Sequence, residues 1–430
     1  MSAASATEDR EAPVVTIVTI GAQGDGIGEL EGRALFVPLT LPGDRVRVRL
    51  GPTRGEGRAA TVLERLADGP GRATPPCRHF GVCGGCQLQH LERDRYRAWK
   101  SELLQTALRH RGLDPAIVRP MIAIPPASRR RARFAAHRHG AAVEFGFHER
   151  AGKRIVDLAH CPILLESLQR LLPALRRMAV ALLADRGGAD LEATASTTGI
   201  DLLIEQAGKP PGAAARTQLI GMAGEAGILR VSWAKPRGEP EPIAILGTPQ
   251  MRFGGIAVDL PPAGFLQPSA AGEAALVDAV GRATEGRKRI ADLFSGLGSF
   301  ALPLAAGARV HAVEGDRAAA AALEAAVKRA GIGHRLTVER RDLERVPLQP
   351  GELAKFDAVV FDPPRAGAAA QSRSLAASGV ARVVAVSCNP ASFARDARIL
   401  VDGGYRLDWA VPVDQFPWSP HLELVAGFSR

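Results

Sequence analysis

The chain has 430 residues, a hydrophobic fraction of 46% and a formal net charge of +10, which suits a globular protein of one to three domains. Its most apolar long segment, 171–183, is interrupted by Arg176 and Arg177, which excludes a membrane-spanning helix. The first 13 residues are polar and acidic and show no targeting signal, so we expect a cytoplasmic protein.

The charge indicates a class of partner. All but seven of the 55 basic residues are arginines, and guanidinium groups match phosphate oxygens bidentately. Codon bias in a GC-rich genome also favours arginine, and we attribute the ratio of arginine to lysine to that bias. Because codon bias does not explain the net excess of positive charge, nucleic acid is the predicted partner.

Residues 14–66 predict a small β-barrel. Short alternating runs lie between glycine-rich turns, namely VVTIVTI, RALFVPL, DRVRVRL and RAATVLERL. Strands of this length and spacing are typical of OB-type barrels, which often bind nucleic acids. The alternative is a β-domain without a binding function.

Most of the cysteines form a candidate metal site. Cys77, Cys83 and Cys86 lie in PPCRHFGVCGGCQLQH, where glycines permit tight turns, and Cys161 follows a predicted strand at 154–158. Three local ligands with one distant ligand resemble iron–sulfur spacing more than the paired C-x2-C units of zinc sites. Disulfides are not expected in a cytoplasmic chain, and buried reduced thiols are the alternative.

The middle of the chain mixes helix and strand patterns. Helices are predicted at 95–111 and at about 168–186, and strands at 132–137, 142–147, 191–194 and 202–205. The run RRRARF, 129–134, combines four arginines with an aromatic residue. The net charge favours a strand whose arginines contact phosphates over a merely solvated face.

Regular alternation of strands and helices begins at Ser269 and predicts a cofactor site. Gly296 and Gly298, in RIADLFSGLGSFALPLA, let the backbone approach a ligand closely. Glu314 ends the next strand, where it can accept hydrogen bonds from a ribose diol, and Asp342 after the third strand can reach an adenine. S-adenosylmethionine and a dinucleotide both fit these features.

Two later strands bring reactive groups to the same edge. FDAVVFDPPR delivers Asp362 in a D-P-P turn, which is typical of methyltransferases rather than dehydrogenases. In VVAVSCNPASFARD the strand stops at Ser387, and Asn389-Pro390 breaks it, so Cys388 should lie at the strand's C-terminal end. Ligands of open α/β sheets bind at that edge. Cys388 is therefore either a nucleophile or a small core residue.

Taken together, the motifs resemble the S-adenosylmethionine-dependent RNA (uracil-5-)-methyltransferases, in the branch with an N-terminal TRAM domain and a [4Fe-4S] cluster. The matching stretches cover nearly the whole chain and include PPCRHFGVCGGCQLQH, RRRARF, DLAHCPIL, DLFSGLGSF, DPPRAG, VSCNPASFARD and QFPWSPHLELV. The resemblance implies an α/β fold with a β-barrel appendage. Its implied parts are a TRAM (OB-like) barrel at 1–70, a central α+β iron–sulfur domain at 71–92 and 125–262, and a Rossmann-like methyltransferase domain at 93–124 and 263–430.

The resemblance also implies roles for single residues. Cys388 matches the family's nucleophile and Glu423, in PHLELV, its general base, while Cys77, Cys83, Cys86 and Cys161 match the cluster ligands. The implied S-adenosylmethionine-binding residues are Gln267, Phe294, Ser299, Glu314, Asp342 and Asp362. The implied substrate is RNA, 23S ribosomal RNA ahead of the T-loop of tRNA, and the implied assembly is a monomer.

The chemistry explains these residue types. Uracil C5 is too weakly nucleophilic to take a methyl group from a sulfonium directly, whereas addition of a thiolate to C6 gives an enolate whose C5 can attack. We expect positive surroundings to lower the pKa of Cys388 below the ~8.5 of a free thiol. The target base must leave its stack to reach the site, and Glu423 then removes the C5 proton.

The chain departs from the family pattern at three positions. Ser269 replaces the Asn of F-x-Q-x-N and is expected to cap the following helix, Ser299 stands where Asn or Thr is common, and Asp342 replaces an Asn of some relatives.

Competing classes remain at this point. A non-catalytic RNA-binding protein would need neither Cys388 nor Glu423. A DNA cytosine-5 methyltransferase carries its cysteine after a proline on the fourth strand, and an amino-group methyltransferase favours an aromatic residue where Arg365 stands. We predict methylation of uridine C5 in RNA.

Overall fold

The computed structural model describes residues 12–430, so the prediction that the N-terminal segment carries no targeting signal falls largely outside the described residues. The chain divides into two compact units. One comprises the residues up to Leu103 with His148–Lys153 and Phe416–Pro420, and the other comprises Leu104–Phe147, Arg154–Gln415 and His421–Arg430. The three-part division inferred from the resemblance stays a prediction.

The first unit contains a closed five-stranded barrel with the strand order β1-β2-β3-β5-β4. Alternate side chains point inward, and Ile17, Leu35 and Val48 belong to its apolar core. The strands are Val14–Ile20 (β1), Gly26–Leu30 (β2), Arg33–Val37 (β3), Arg45–Arg54 (β4) and Gly57–Ala67 (β5).

Strand β2 is the barrel strand that the sequence pattern did not predict. Its sequence is GIGEL, whose two glycines interrupt any alternating apolar run, yet it pairs antiparallel with both β1 and β3. A Cβ atom at Gly26 would lie 2.1 Å from Oγ1 of Thr40. The close packing that hides the strand from a pattern search is therefore what requires the glycine.

The second unit contains a seven-stranded sheet with the order β13-β12-β11-β10-β7-β8-β9. All neighbouring strands whose register is resolved run antiparallel except β11 and β12. The strands of this sheet are Arg131–His139 (β7), Ala142–His148 (β8), Ile155–Asp157 (β9), Gly188–Ala195 (β10), Ile200–Glu205 (β11), Ile228–Ala234 (β12) and Glu241–Ile245 (β13). The two-residue strand Ile122–Ala123 (β6) precedes them in the chain and belongs to the next sheet.

Three of the arginines of RRRARF form ion pairs within the protein, and the interpretation of the run as a phosphate-contacting strand stays a prediction. Strand β10 runs beside β7 and places carboxylates next to arginines 131 and 133. The ion pairs are Arg130–Glu273 at 2.6 Å, Arg131–Glu192 at 2.7 Å and Arg133–Asp190 at 2.7 Å. These ion pairs hold three of the arginines against neighbouring elements and contribute to the stability of the sheet and its neighbourhood.

An eight-stranded sheet, also in the second unit, has the order β18-β17-β16-β19-β20-β22-β21-β6. Strands β16 to β20 run parallel to one another, and β22 is inserted antiparallel between β20 and β21. The remaining strands are Gln250–Phe253 (β14) and Ile256–Asp259 (β15), which form a separate hairpin, then Arg289–Leu293 (β16), Arg309–Glu314 (β17), Leu336–Arg340 (β18), Ala358–Phe361 (β19), Arg382–Ser387 (β20), Arg406–Asp414 (β21) and Glu423–Ser429 (β22).

Helices connect the parallel strands and cover the sheet, and a continuous apolar core includes Leu276, Val310, Val360 and Val425. This alternation is the regular pattern predicted from Ser269 onward. The α-helices are Arg93–Arg109 (α1), Glu166–Leu182 (α2), Ala213–Glu225 (α3), Ala270–Ala283 (α4), Ala301–Leu304 (α5), Arg317–Arg329 (α6), Pro350–Leu353 (α7), Ala369–Ala376 (α8) and Pro390–Asp402 (α9), with a short 3-10 helix at Pro115–Ile117.

Helix boundaries agree with the predicted patterns to within a few residues. The predicted helix at 95–111 is α1, and the boundary between the two units falls inside it, after Leu103. The second predicted helix is α2, which contains Pro173 in its interior. No helix in the described part of the chain is long and apolar enough to cross a membrane.

Candidate active site

Cys388 lies directly after the last residue of β20, at the carboxyl end of the parallel strands, and is partly buried. The strand ends there because Asn389 begins helix α9, its side-chain oxygen accepting the N–H of Ala391 at 3.1 Å. Pro390 occupies the first helical turn, where a missing N–H costs nothing. The predicted position of Cys388 at the end of a strand is confirmed.

The electrostatics at Cys388 differ from the prediction. The pKa of the thiol is raised to about 11. Burial is the main cause, and the nearby carboxyl groups of Glu423 and Asp362 add to it, outweighing the guanidinium group of Arg365. The expected lowering of this pKa by positive surroundings was wrong for the ligand-free protein. At neutral pH the sulfur carries its proton.

Glu423 lies at the same sheet edge because it begins β22, the last strand of the chain. It is the first residue of β22, and Leu424 pairs with Ser387 across the antiparallel ladder. Continuing that register by one residue sets Glu423 opposite Cys388. Glu423 is 3% exposed, and burial together with the charge of Asp362 raises its pKa well above the usual range.

Asp362 follows β19 and joins the same group of side chains. Its backbone N–H donates to the carbonyl oxygen of Leu293 at 3.2 Å, and its carboxylate accepts the side-chain N–H of Gln267 at 3.2 Å. Burial raises the pKa of Asp362 to about 7. Two carboxyl groups that disfavour each other's ionisation thus stand beside one thiol.

The loop between β16 and α5 has the backbone shape of a ligand-binding turn. Phe294, Gly296 and Gly298 all have positive φ, at 61°, 55° and 88°. Glu314, at the end of β17, accepts the N–H of Gly296 at 2.7 Å, which holds the loop against the neighbouring strand. Ser299 lies in the same loop and is partly buried.

Asp342 lies farther along the same edge, after β18, and is exposed. Its carboxylate accepts the backbone N–H groups of Glu344 and Arg345 at 3.1 and 3.3 Å. It therefore closes a turn at the end of the third strand, which is where the sequence placed it.

Asp292 is a functional candidate that the sequence reasoning missed. It is fully buried on β16, and neither oxygen of its carboxyl group has a hydrogen-bond partner among the described residues. Burial and the charges of Asp362 and Glu314 raise its pKa well above the usual range. The signal was an acidic residue inside an otherwise apolar strand, RIADL, where a charge is costly without a ligand.

These acidic groups fit S-adenosylmethionine. Glu314, Asp292 and Asp362 come from the adjacent parallel strands β17, β16 and β19, and their charges act on one another. A sulfonium and an ammonium group are cations, and a cation placed among these carboxyl groups stabilises their ionised forms. A ribose and a base can lie over the glycine turn beside it.

The predicted cluster ligands fall into different units. Cys77, Cys83 and Cys86 lie in the first unit and Cys161 in the second. The N–H of Gly85 donates to Sγ of Cys83 at 3.4 Å, and burial raises the pKa of that thiol, with a smaller contribution from Cys77. Within residues 12–430, no group of three or more His, Cys, Asp or Glu side chains could hold a metal ion. The described side chains thus form no ready-made metal site.

Comparisons with known proteins decide the class. Residues 259–428 match the family model described as tRNA (Uracil-5-)-methyltransferase. A protein of Caulobacter vibrioides, named as an uncharacterized RNA methyltransferase, is 44% identical over 97% of this chain and 99% of its own length. The 23S rRNA (uracil(1939)-C(5))-methyltransferase RlmD of Chromohalobacter salexigens is 35% identical over 99% of this chain and 91% of its own length. The chain belongs to the RNA uracil-5-methyltransferase family.

Solved structures agree on the fold. The Pyrococcus abyssi tRNA (uracil-54, C5)-methyltransferase, crystallised with S-adenosyl-L-homocysteine, matches with a TM-score of 0.74 and 24% identity over 97% of this chain and 100% of that chain. The eight-stranded sheet is thus the Rossmann-like domain of a methyltransferase, and the five-stranded barrel is its N-terminal appendage. Membership of this family decides against the DNA cytosine-5, amino-group and non-catalytic alternatives.

Proposed function

We propose that this family member methylates C5 of one uridine in 23S ribosomal RNA, with Cys388 as nucleophile and Glu423 as general base. The observation that supports it most directly is the register of β20 and β22, which sets a buried carboxyl group opposite a strand-end cysteine. Asp362 completes the group from the next parallel strand. A thiol and an acid–base pair at one sheet edge are what addition to C6 and loss of the C5 proton require.

The reaction divides into two halves. The thiol of Cys388 loses its proton to solvent, and the sulfur adds to C6 of the flipped base while the electrons of the C5–C6 double bond move to the enolate. S-adenosylmethionine, when bound, supplies the methyl group as an electrophilic sulfonium. C5 then holds both a methyl group and a proton; a carboxylate takes the proton, the C5–C6 double bond forms again and the sulfur leaves as a thiolate.

Glu423 is the carboxyl group that we assign to the second half. Its side chain is buried whereas that of Asp362 is partly exposed, and burial together with the charge of Asp362 raises the pKa of Glu423. A buried carboxyl group whose proton has left to solvent, which a nearby cation favours, is a strong base and is suited to removing a weakly acidic C–H proton. Asp362 and Gln267 are assigned to holding the methyl donor and the base.

The choice of RNA rests on the relatives. The Chromohalobacter salexigens protein that is similar along its whole length is named for 23S ribosomal RNA, whereas the Pyrococcus abyssi protein is named for tRNA but supports only the fold. Mapping 5-methyluridine in ribosomal and transfer RNA of a deletion strain, with and without the restored gene, tests the proposal. Loss of one modified site in the large-subunit RNA is expected; loss of a T-loop site instead would reassign the substrate.

The [4Fe-4S] cluster is a separate proposal, and its support is the sequence array alone. Cys77, Cys83 and Cys86 have the spacing of local cluster ligands, with Cys161 as the distant one. The N–H···S contact to Cys83 is a kind of contact that sulfur ligands often accept. We also propose that the barrel is a TRAM domain, that the protein is a monomer and that it is located in the cytoplasm.

A further inference from the structure

Gln415 is a buried amide next to the candidate active site. It is the first residue of the motif QFPWSPHLELV, and the proposed mechanism gives it no role. It follows β21 and is 1% exposed. Its side-chain N–H donates to the side-chain oxygen of Gln267 at 2.9 Å, and Gln267 in turn donates to Asp362 at 3.2 Å. Gln415 is therefore one residue removed from a carboxyl group of the site.

This hydrogen-bond chain continues beyond Gln415 to the start of helix α4. The backbone N–H of Gly272, in the first turn of α4, donates to Oγ of Ser269 at 3.1 Å, and the hydroxyl of Ser269 donates to the side-chain oxygen of Gln415 at 3.3 Å. A backbone N–H can only donate. Ser269, Gln415 and Gln267 each donate onward in the structure, so that Gln267 presents its N–H to Asp362.

Packing holds Gln415 in this orientation. A Cβ atom at Gly272 would lie 2.1 Å from the side-chain oxygen of Gln415, so only glycine leaves room for the amide. The backbone of Gln267 is anchored independently, because the buried guanidinium group of Arg130 donates to its carbonyl oxygen at 2.8 Å. Gln415 is thus left with one task, which is the orientation of the side-chain amide of Gln267.

We propose that Gln415 is a positioning residue that sets the amide orientation of Gln267 and thereby keeps a donor on Asp362. The expected effect on binding of the methyl donor rests on the proposed function, which assigns Gln267 and Asp362 to holding that donor. The hydroxyl of Ser269 caps α4 and starts the chain of donors at the same time.

The polarity gives a test with two near-isosteric variants. Gln415→Met keeps the length and packing of the side chain but leaves Gln267 free to rotate. Gln415→Glu keeps the shape yet offers only acceptors, so Gln267 must turn its N–H toward residue 415 and its carbonyl toward Asp362. We expect the affinity for S-adenosylhomocysteine, measured by calorimetry, to fall about tenfold in Gln415→Met and further in Gln415→Glu.

Matched controls separate positioning from folding. Gln371 is also a buried glutamine, bonded to the backbone of Leu348, and Gln371→Met should lower the melting temperature without changing the affinity of the folded protein. If either glutamine variant fails to fold, Ser269→Ala provides the alternative test. It removes the donor to Gln415 and should weaken S-adenosylhomocysteine binding about threefold.

Two results would overturn the inference: unchanged binding in Gln415→Met and Ser269→Ala, or a Gln415→Glu variant that binds at least as tightly as Gln415→Met. The proposed function fails separately. Wild-type protein that binds S-adenosylhomocysteine in a Gln415-dependent way, but forms no 5-methyluridine on RNA from a deletion strain, would overturn the reaction and leave the positioning role intact.

Discussion

At the scale of single residues, the site is built from groups held in their less reactive forms. Cys388 keeps its proton because of burial and its carboxyl neighbours, and Asp362 and Glu423 resist ionisation for the same reasons. Such a site is poised for the arrival of a cationic methyl donor, which reverses the local charge balance. Each group then has a distinct role that substitution can reveal.

Cys388→Ala should abolish methyl transfer, with a loss of at least about 10⁴-fold in single-turnover rate, because no other group can form the C6 adduct. Binding of S-adenosylhomocysteine should stay within a factor of about three, since the thiol attacks the base and not the methyl donor. Transfer of tritiated methyl groups to RNA and calorimetry measure the two effects. Turnover close to that of the wild type would remove Cys388 from the mechanism.

Glu423→Gln should separate the two halves of the reaction. Cys388 can still add and the methyl group can still move, but the C5 proton stays and the adduct cannot eliminate. A denaturing gel with a labelled methyl donor is expected to show label in a protein–RNA band, which Cys388→Ala lacks. Normal folding with near-normal turnover and no adduct would assign the base to another residue, with Asp362 the first candidate.

Asp362 should make stability depend on pH. Burial raises the pKa of Asp362 from 3.8 to about 7, so its proton stabilises the fold below pH 4, and this contribution is lost as the pH rises through 7. Asp362→Asn should therefore melt roughly 2–4 °C above the wild type at pH 8 and close to it at pH 4. If the melting temperature of Asp362→Asn differs from that of the wild type by the same amount at pH 4 and pH 8, the carboxyl group does not titrate in this range.

At the scale of elements, strand ends and helix starts place the chemistry. The antiparallel insertion of β22 between β20 and β21 brings Glu423 beside the parallel strands, although it lies far along the chain from Asp362. Ser269 and Asn389 cap α4 and α9, so two helices begin at residues next to the site. A cap at these positions contributes both stability and geometry.

Ser269→Ala should therefore cost about 1 kcal/mol of unfolding free energy, the usual loss for an N-cap residue. Asp316 provides a matched control, because its carboxylate caps α6 by accepting the N–H of Ala319 at 2.8 Å. Asp316→Ala should cost a similar amount without affecting S-adenosylhomocysteine binding, whereas Ser269→Ala should affect both. Urea unfolding followed by circular dichroism gives the comparison, and equal binding in the two variants would limit Ser269 to its capping role.

At the scale of the whole molecule, the positive charge and the cysteine array are the features that extend beyond the catalytic domain. The excess charge of +10 persists although many arginines, including three of RRRARF, are paired internally. The remaining charge is available to attract RNA phosphates at long range, with strength that falls as salt rises.

The cluster proposal is also tested on the intact protein. Anaerobically purified protein should be brown and contain about four irons per chain, and Cys77→Ser should lose the iron and the colour. Cys388→Ser serves as the control, since it alters a cysteine outside the array and should retain the iron. Stoichiometric zinc, or no metal at all, would rule out the iron–sulfur proposal without affecting the assigned reaction.

The sequence by itself determined much of this protein, because the relevant signals are local. Strand runs ending in Asp362 and Cys388, the glycine turn at Gly296 and Gly298, and the cap at Ser269 are all set by neighbouring residues and their backbone preferences. These features fixed the α/β class and the sheet edge at which the site lies. Strand β2 was missed because close packing, not alternation, selected its glycines.

Only the tertiary structure decided the properties that depend on distant partners. The direction of the pKa shift at Cys388 follows from burial beside Glu423 and Asp362, which come from other strands. The pairing of RRRARF with carboxylates on β10, the isolation of Asp292, and the hydrogen-bond chain through Gln415 are likewise long-range. Electrostatic energies depend on distance and dielectric environment, and neither quantity is written in the local sequence.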